Sequence, residues 1–131
     1  MFLAHYDITE ADFDIYQHVN HVDGIRLLEC ARADYIKSLG FPLEAILARG
    51  LLLVVKELSA KYLREIKAGQ IAVSCGNCRL DGKDLLITQK ITNEKGKLAI
   101  TADIRLACVD AKLRRAVDAP ADFLAAFIDL S

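Results

Sequence analysis

Asp12-Phe13-Asp14-Ile15-Tyr16-Gln17-His18-Val19-Asn20-His21 is the stretch from which the rest of the chain is read. It gathers two carboxylates, two imidazoles and the carboxamide of Asn20 just before an apolar-periodic segment that begins at Val22. Beyond it, Ile25, Leu28, Ala31, Tyr35 and Leu39 fall on one helical stripe about four and a half turns long. Asn20 is placed to cap that helix, Asp23 falls in its first turn and Lys37 in its last, each where the helix dipole favours its charge. Gly40 stops the helix and Pro42 follows. Polar side chains delivered to a helix N-terminus meet free amides and a partial positive charge, both suited to a developing oxyanion.

Working outward, Phe2 to Ile8 reads as a first strand and Thr9 to Asn20 as a loop. Pro42 to Ala48 reads as a second short helix ended by Gly50. The period then changes to two. Leu51 to Leu63 is a long strand in which Glu57, Ser59 and Lys61 alternate with Leu58, Ala60 and Tyr62. Arg64 to Gly69 is a charged connection, and Gln70 to Leu80 the next strand. Asp81-Gly82 signals a hairpin into Asp84 to Thr92, and Asn93 to Gly96 a second turn into Lys97 to Asp110. Ala111 to Asp118 is irregular, and Pro120 opens a short helix through Ile128. The order is a strand, a long helix, then four strands in meander. That predicts an α+β fold in which one antiparallel sheet of about five strands wraps the long helix.

The chain has 131 residues, one domain's worth, so residues 1–131 are expected to form a single domain. Apolar residues make up 53%, more than so small an interior hides, which predicts an oligomer. The net charge of −1, with no charged run, argues against a nucleic-acid partner. The longest apolar run, Leu51 to Val55, is too short to span a bilayer, and Met1 to Ala4 is too short for a signal-peptide core. A cytoplasmic location away from the membrane is expected, with Cys30, Cys75, Cys78 and Cys108 reduced and mostly buried.

The segment Asp14-Ile15-Tyr16-Gln17-His18-Val19-Asn20, running into Leu28-Glu29-Cys30-Ala31-Arg32, resembles the hotdog-fold acyl thioesterases of the 4-hydroxybenzoyl-CoA thioesterase type. It is also similar to the plant acyl-carrier-protein thioesterases. Looser matches follow at Leu58 to Leu63 with Ala68-Gly69, and at Val109-Asp110 through Pro120. The chain departs from the pattern at three places. Tyr16 stands where the plant enzymes have Asn, His21 where a second Asn is usual, and Gln17 where many relatives have Gly.

The resemblance implies an acyl thioester hydrolase acting on acyl-CoA or acyl carrier protein. It implies a homodimer or homotetramer with a continuous intersubunit sheet and sites between protomers. Coenzyme A would enter only as part of the substrate, with no metal and no separate cofactor. Two rivals are a non-catalytic acyl-thioester-binding module and a hotdog hydratase or dehydratase.

Asp14 is the expected catalytic residue, since a carboxylate can attack a thioester or take a proton from water, and the resemblance assigns that role to this position. The resemblance also points to the backbone amide of His21 as the donor to the carbonyl. The side chains of His18 and Asn20 are candidates to bond the acyl carbonyl or the Asp14 loop. Glu29 is the reserve carboxylate, because some hotdog enzymes carry theirs on this helix. Tyr16, Arg64, Lys67 and Arg115 are the expected substrate contacts, the cations for coenzyme A phosphates. Asp14, His18 and His21 are metal-ligand residue types, but no further His or paired Cys reinforces them. Cys75-Gly76-Asn77-Cys78 has redox or zinc spacing, yet within a strand that spacing puts the thiols on opposite faces unless Gly76-Asn77 forms a bulge or turn.

Overall fold

A computed structural model describes residues 1–129. Strand β1 (Phe2–Ile8) leads through a single 3-10 turn (Glu10–Asp12) and a loop to the long helix α1 (His21–Ser38). Then come α2 (Leu43–Ala48), β2 (Leu51–Tyr62), β3 (Gly69–Asp81), β4 (Asp84–Thr92), β5 (Leu98–Asp110) and α3 (Ala121–Asp129). The strands form one antiparallel sheet in the order β1-β3-β4-β5-β2. The sheet curves around α1, and this is the hotdog fold.

The core is the period-two face of the sheet set against the period-3.6 face of the helix. Ile71, Val73 and Cys75 of β3, Leu85, Ile87 and Ile91 of β4, and Ala102, Ile104 and Leu106 of β5 are buried opposite Leu28, Ala31, Tyr35 and Ile36 of α1. Burying Leu28 or Ile36 contributes roughly 1.5–3 kcal/mol each. Beyond Ser38, Gly40 turns to φ 93° and the amides of Gly40 and Phe41 close on the carbonyls of Lys37 and Ile36. That is the reversal the glycine foretold. It sends Phe41 edge-on against Phe123 of α3, while the Tyr35 hydroxyl donates to the Phe127 carbonyl at 2.6 Å. Among the described residues no helix is long and apolar enough to cross a membrane.

The expected four-strand meander is corrected to three. β3, β4 and β5 follow one another, but β2 pairs with β5 and not with β3. Alternation fixes which face a strand buries, not which neighbour it takes. The charged connection after β2 is a crossover: the amides of Leu63 and Arg64 bond the Ala99 carbonyl, Ile66 is buried, and the chain enters β3 beside β1. The hairpin has Gly82-Lys83 as its two turn residues, one position later than the Asp81-Gly82 signal, with Gly82 at φ 63°.

The opposite-face placement of the Cys75 and Cys78 thiols is also corrected. The β3–β4 register slips between Gly76 and Arg79, and Asn77 adopts φ 50°. The bulge absorbs one residue, so both thiols point into the core, with 0% and 2% exposure. Burial pushes the Cys75 thiol up to about 12, against the lowering effect of a hydrogen bond from Gln89, and burial raises Cys78 as well.

Candidate functional site

The loop before α1 is a short stirrup. Phe13 and Val19 bridge across its base, and the Gln17 amide bonds the Asp14 carbonyl at 3.0 Å. Gln17 takes φ 63°, a left-handed conformation that glycine adopts freely and other residues adopt at a cost of roughly 1 kcal/mol. Gln17 therefore keeps the turn and accepts the strain. Inside the stirrup, Asp14 Oδ1 accepts from the Tyr16 amide at 2.8 Å. One carboxylate oxygen is thus anchored by the loop's own backbone.

The stirrup is tied to the crossover by the Val19 amide, which bonds the Ile66 carbonyl at 3.0 Å. Asn20 Oδ1 accepts from the Asp23 amide at 2.9 Å and the Asn20 carbonyl accepts from Gly24, so the side chain is engaged as the helix cap. The amides of His21 and Val22 precede the helical hydrogen-bond ladder and face out of the helix end. His18 stacks beside Tyr16 with ring centroids 6.2 Å apart, and its Nδ1 lies 2.9 Å from the Val19 carbonyl.

These parts surround one open cleft of about 710 Å³. It is lined by Asp14, Tyr16 and His18 of the stirrup, by Asn20 and His21 at the helix end, and by Tyr62, Arg64 and Glu65 of β2 and the crossover. The structure therefore brings Asp14, Tyr16, His18, Asn20, His21 and Arg64 to one place. Arg64 Nη1 donates to the Leu98 carbonyl at 2.8 Å, which fixes its side chain against the sheet. Lys67 lines a separate hollow behind the stirrup with Phe13 and Gln17, and its Nζ lies 3.6 Å from Glu65. Glu29 is exposed on α1, about 12 Å along the helix axis from His21. Arg115 lies beyond the far end of the sheet. Its carbonyl accepts from Asp110, which pairs with Leu51, so the length of β2 (up to about 35 Å) separates it from this cleft. Among the described residues, no three His, Cys, Asp or Glu side chains are grouped to hold a metal ion.

Tyr62 and Glu65 are cleft residues that the sequence reading did not place there. Tyr62 appeared only as the alternate face of a strand, and Glu65 as part of a charged connection. The available signal was position: an aromatic hydroxyl at the end of a strand, just before a connection that has to cross the sheet. Burial raises the Tyr62 phenol pKa, so its hydroxyl keeps its proton through neutral pH.

The model of the Thioesterase-like superfamily matches residues 8–127. The long-chain acyl-CoA thioesterase FadM of Escherichia coli is 28% identical over 106 residues, which are 79% of this chain and 80% of that protein. A solved structure of a hypothetical protein from Thermus thermophilus superposes with a TM-score of 0.87 at 24% identity, covering 98% of both chains. A 1,4-dihydroxy-2-naphthoyl-CoA thioesterase from Synechocystis superposes with a TM-score of 0.89 at 17% identity, covering 98% of this chain and 96% of that one.

Proposed function

We propose, from the premise that this chain belongs to the Thioesterase-like superfamily, that it hydrolyses acyl-CoA thioesters in the cleft between Asp14 and the leading amides of α1. The observation that carries the reading is the meeting of an anchored carboxylate and a helix N-terminus on the walls of one cleft. A thioester carbonyl laid against the His21 amide gains a hydrogen bond and the positive helix end as charge develops on its oxygen. Asp14 acts on the acyl carbon from the other side, taking a proton from an attacking water or adding to the carbon itself. In the water route, oxygen bonds to carbon, the carbon–sulfur bond breaks, and the departing thiolate receives the proton that Asp14 removed. In the direct route an Asp14 oxygen adds to the acyl carbon, the carbon–sulfur bond breaks to release the thiolate, and water then cleaves the mixed anhydride, regenerating Asp14 and releasing the acid while a proton passes to the thiolate. Label found in the Asp14 carboxylate after a single turnover in ¹⁸O-water marks the direct route, with water attacking the Asp14 carbonyl of the anhydride. Tyr16 and His18 offer stacked rings to the acyl or pantetheine portion, and Arg64 offers a fixed cation to phosphate.

The assembly reading completes the site. β2 lies at the edge of the sheet with a 12-residue length, and Val54, Val55 and Tyr62 are exposed along it. A long edge with exposed apolar side chains is a template for pairing. A second copy joined antiparallel along β2 sets the Leu51 end of one protomer beside the Tyr62 end of the other. That arrangement carries Arg115 towards the partner's cleft and gives it the phosphate role that it cannot fill within its own chain.

The test is thiol release from a panel of acyl-CoA and acyl-carrier-protein esters, aromatic and aliphatic. Wild-type protein is expected to turn over acyl-CoA, and Asp14→Asn to lose about a hundredfold or more while staying folded. His21→Ala should keep most activity and His21→Pro should lose most of it, because proline removes the amide. Asn20 already has φ −79° and ψ 170°, the extended backbone a following proline requires, so His21→Pro should fold. Near-normal hydrolysis by folded Asp14→Asn refutes the assignment, and binding of esters without thiol release supports a binding module instead.

A further inference from the structure

Tyr62 closes β2, one residue before the chain leaves the sheet, and its ring forms part of the cleft wall. Its hydroxyl donates to the carbonyl of His21, the first residue of α1, at 3.0 Å. Its ring also meets the His21 ring edge-on, with centroids 6.4 Å apart. Gly24 lies beside this contact. A Cβ there would stand 2.9 Å from Ile100 Cδ1 and 3.5 Å from Tyr62 Cε1. Glycine is a poor helix former, and its use in the first turn of α1 lets the helix start lie close against β2 and β5.

We propose that Tyr62 is a positioning residue for hydrolysis: by holding the His21 carbonyl, its hydroxyl fixes the His21–Val22 peptide and strengthens the Val22 amide as a second donor to the oxyanion beside the His21 amide. The inference rests on the hydrolysis reading above. The His21 carbonyl and the Val22 amide belong to one peptide group. A hydrogen bond accepted by that oxygen draws density from the attached nitrogen and makes its N–H a better donor, as in any hydrogen-bonded chain. The same bond resists rotation of the His21–Val22 peptide, so the Val22 amide holds its direction at the helix end while charge builds on the substrate oxygen. The hydroxyl's proton is committed to the His21 carbonyl. Tyr62 therefore acts through the helix end and does not itself serve the oxyanion.

Tyr62→Phe keeps the ring and removes only the hydroxyl. With an acyl-CoA ester that the wild type hydrolyses, kcat should fall about five- to tenfold while KM stays within about twofold, the pattern of a contribution realised in the transition state. Tyr62→Leu, which also removes the ring, should lose at least as much. An unchanged kcat in folded Tyr62→Phe overturns the proposal. So does a raised KM with kcat preserved, which would make the hydroxyl a substrate contact, or a lowered unfolding temperature with kcat intact, which would make it a structural tether. A second readout does not use activity. In ¹H–¹⁵N spectra the Val22 amide proton should move upfield in Tyr62→Phe while amides past the second turn of α1 hold their positions, and an unmoved Val22 resonance overturns the proposal. Wild-type protein that releases no thiol from any ester refutes the hydrolysis reading, and with it the catalytic part of this one. The Val22 shift would still decide whether the hydroxyl holds the helix start.

Discussion

Gln89→Leu should destabilise the fold far more than its near-equal volume suggests. Gln89 sits on β4 with no exposed surface and is the polar centre of the core. Its Oε1 accepts from Arg32 Nη1 at 3.0 Å, and its Nε2 donates to the Leu28 carbonyl at 3.0 Å and lies 3.2 Å from Cys75 Sγ. Arg32 is only 7% exposed, and burial lowers its pKa, so its charge is held where water scarcely reaches. Leucine removes the acceptor from that guanidinium, costing about 1.5–3 kcal/mol for a bond to a charged group. The lost bond to Leu28 adds roughly 1 kcal/mol, and the extra apolar burial returns about the same. The net expectation is a loss of about 1.5–3 kcal/mol in the unfolding free energy. Arg32→Met on top of Gln89→Leu removes the stranded charge and should recover most of that loss, giving a coupling of about 2 kcal/mol between the two positions. Urea unfolding followed by circular dichroism, at one fixed protein concentration, measures all four corners of the cycle. A Gln89→Leu protein within about 0.5 kcal/mol of wild type, or strictly additive changes in the double variant, would refute the argument that Gln89 holds a buried charge.

Thiol accessibility follows from the bulge. In the native protein Cys30, on the exposed side of α1, should react with a thiol reagent at neutral pH, while Cys75, Cys78 and Cys108 stay unmodified until denaturant is added, because burial raises all three thiols. A count of one fast thiol native and four denatured, by mass, checks it. The acid limb of stability should depend on Asp84, whose pKa is held below the ordinary carboxylate value by hydrogen bonds from Lys56 and then Arg105. A carboxylate with a lowered folded pKa stabilises the fold above its unfolded value and loses that contribution as pH falls through the folded value. The difference in urea midpoint between wild type and Asp84→Asn should therefore be largest above about pH 4 and shrink at more acidic pH.

The parts of the fold legible in the sequence were those with local causes. The α1 stripe, its Asn20 cap and its Gly40 stop all depend on residues within a turn or two of one another, and the structure has each of them. What escaped was the pairing of elements. Leu51 to Tyr62 alternates in the same way whether its neighbour is β3 or β5, and the choice is made by a crossover whose anchors, Val19, Ala99 and Asn93, come from three distant segments. The two thiols escaped for a related reason. A spacing of three means opposite faces only in an unbroken strand, and Asn77 at φ 50° breaks it. Nothing next to Arg32 in sequence says that it turns inward; it does so because Gln89, 57 residues away in sequence, gives it an acceptor.

The cleft shows the same division. Asp14, His18, Asn20 and His21 were legible together because they are contiguous and end where a helix begins. The rest of the lining was not, since Tyr62, Arg64 and Glu65 arrive with β2 and the crossover. The misread pairing and the missed residues therefore have one cause. If β2 lay beside β3, as a four-strand meander requires, the chain after Tyr62 would make a tight turn at the rim of the sheet. Because β2 lies against β5, the chain after Tyr62 has to cross the sheet. On the way it passes the stirrup, where Val19 takes the Ile66 carbonyl, and it leaves Tyr62 at the helix end, bonded to His21. The crossover is thus both the part of the topology that periodicity could not assign and a part of the lining of the Asp14 cleft.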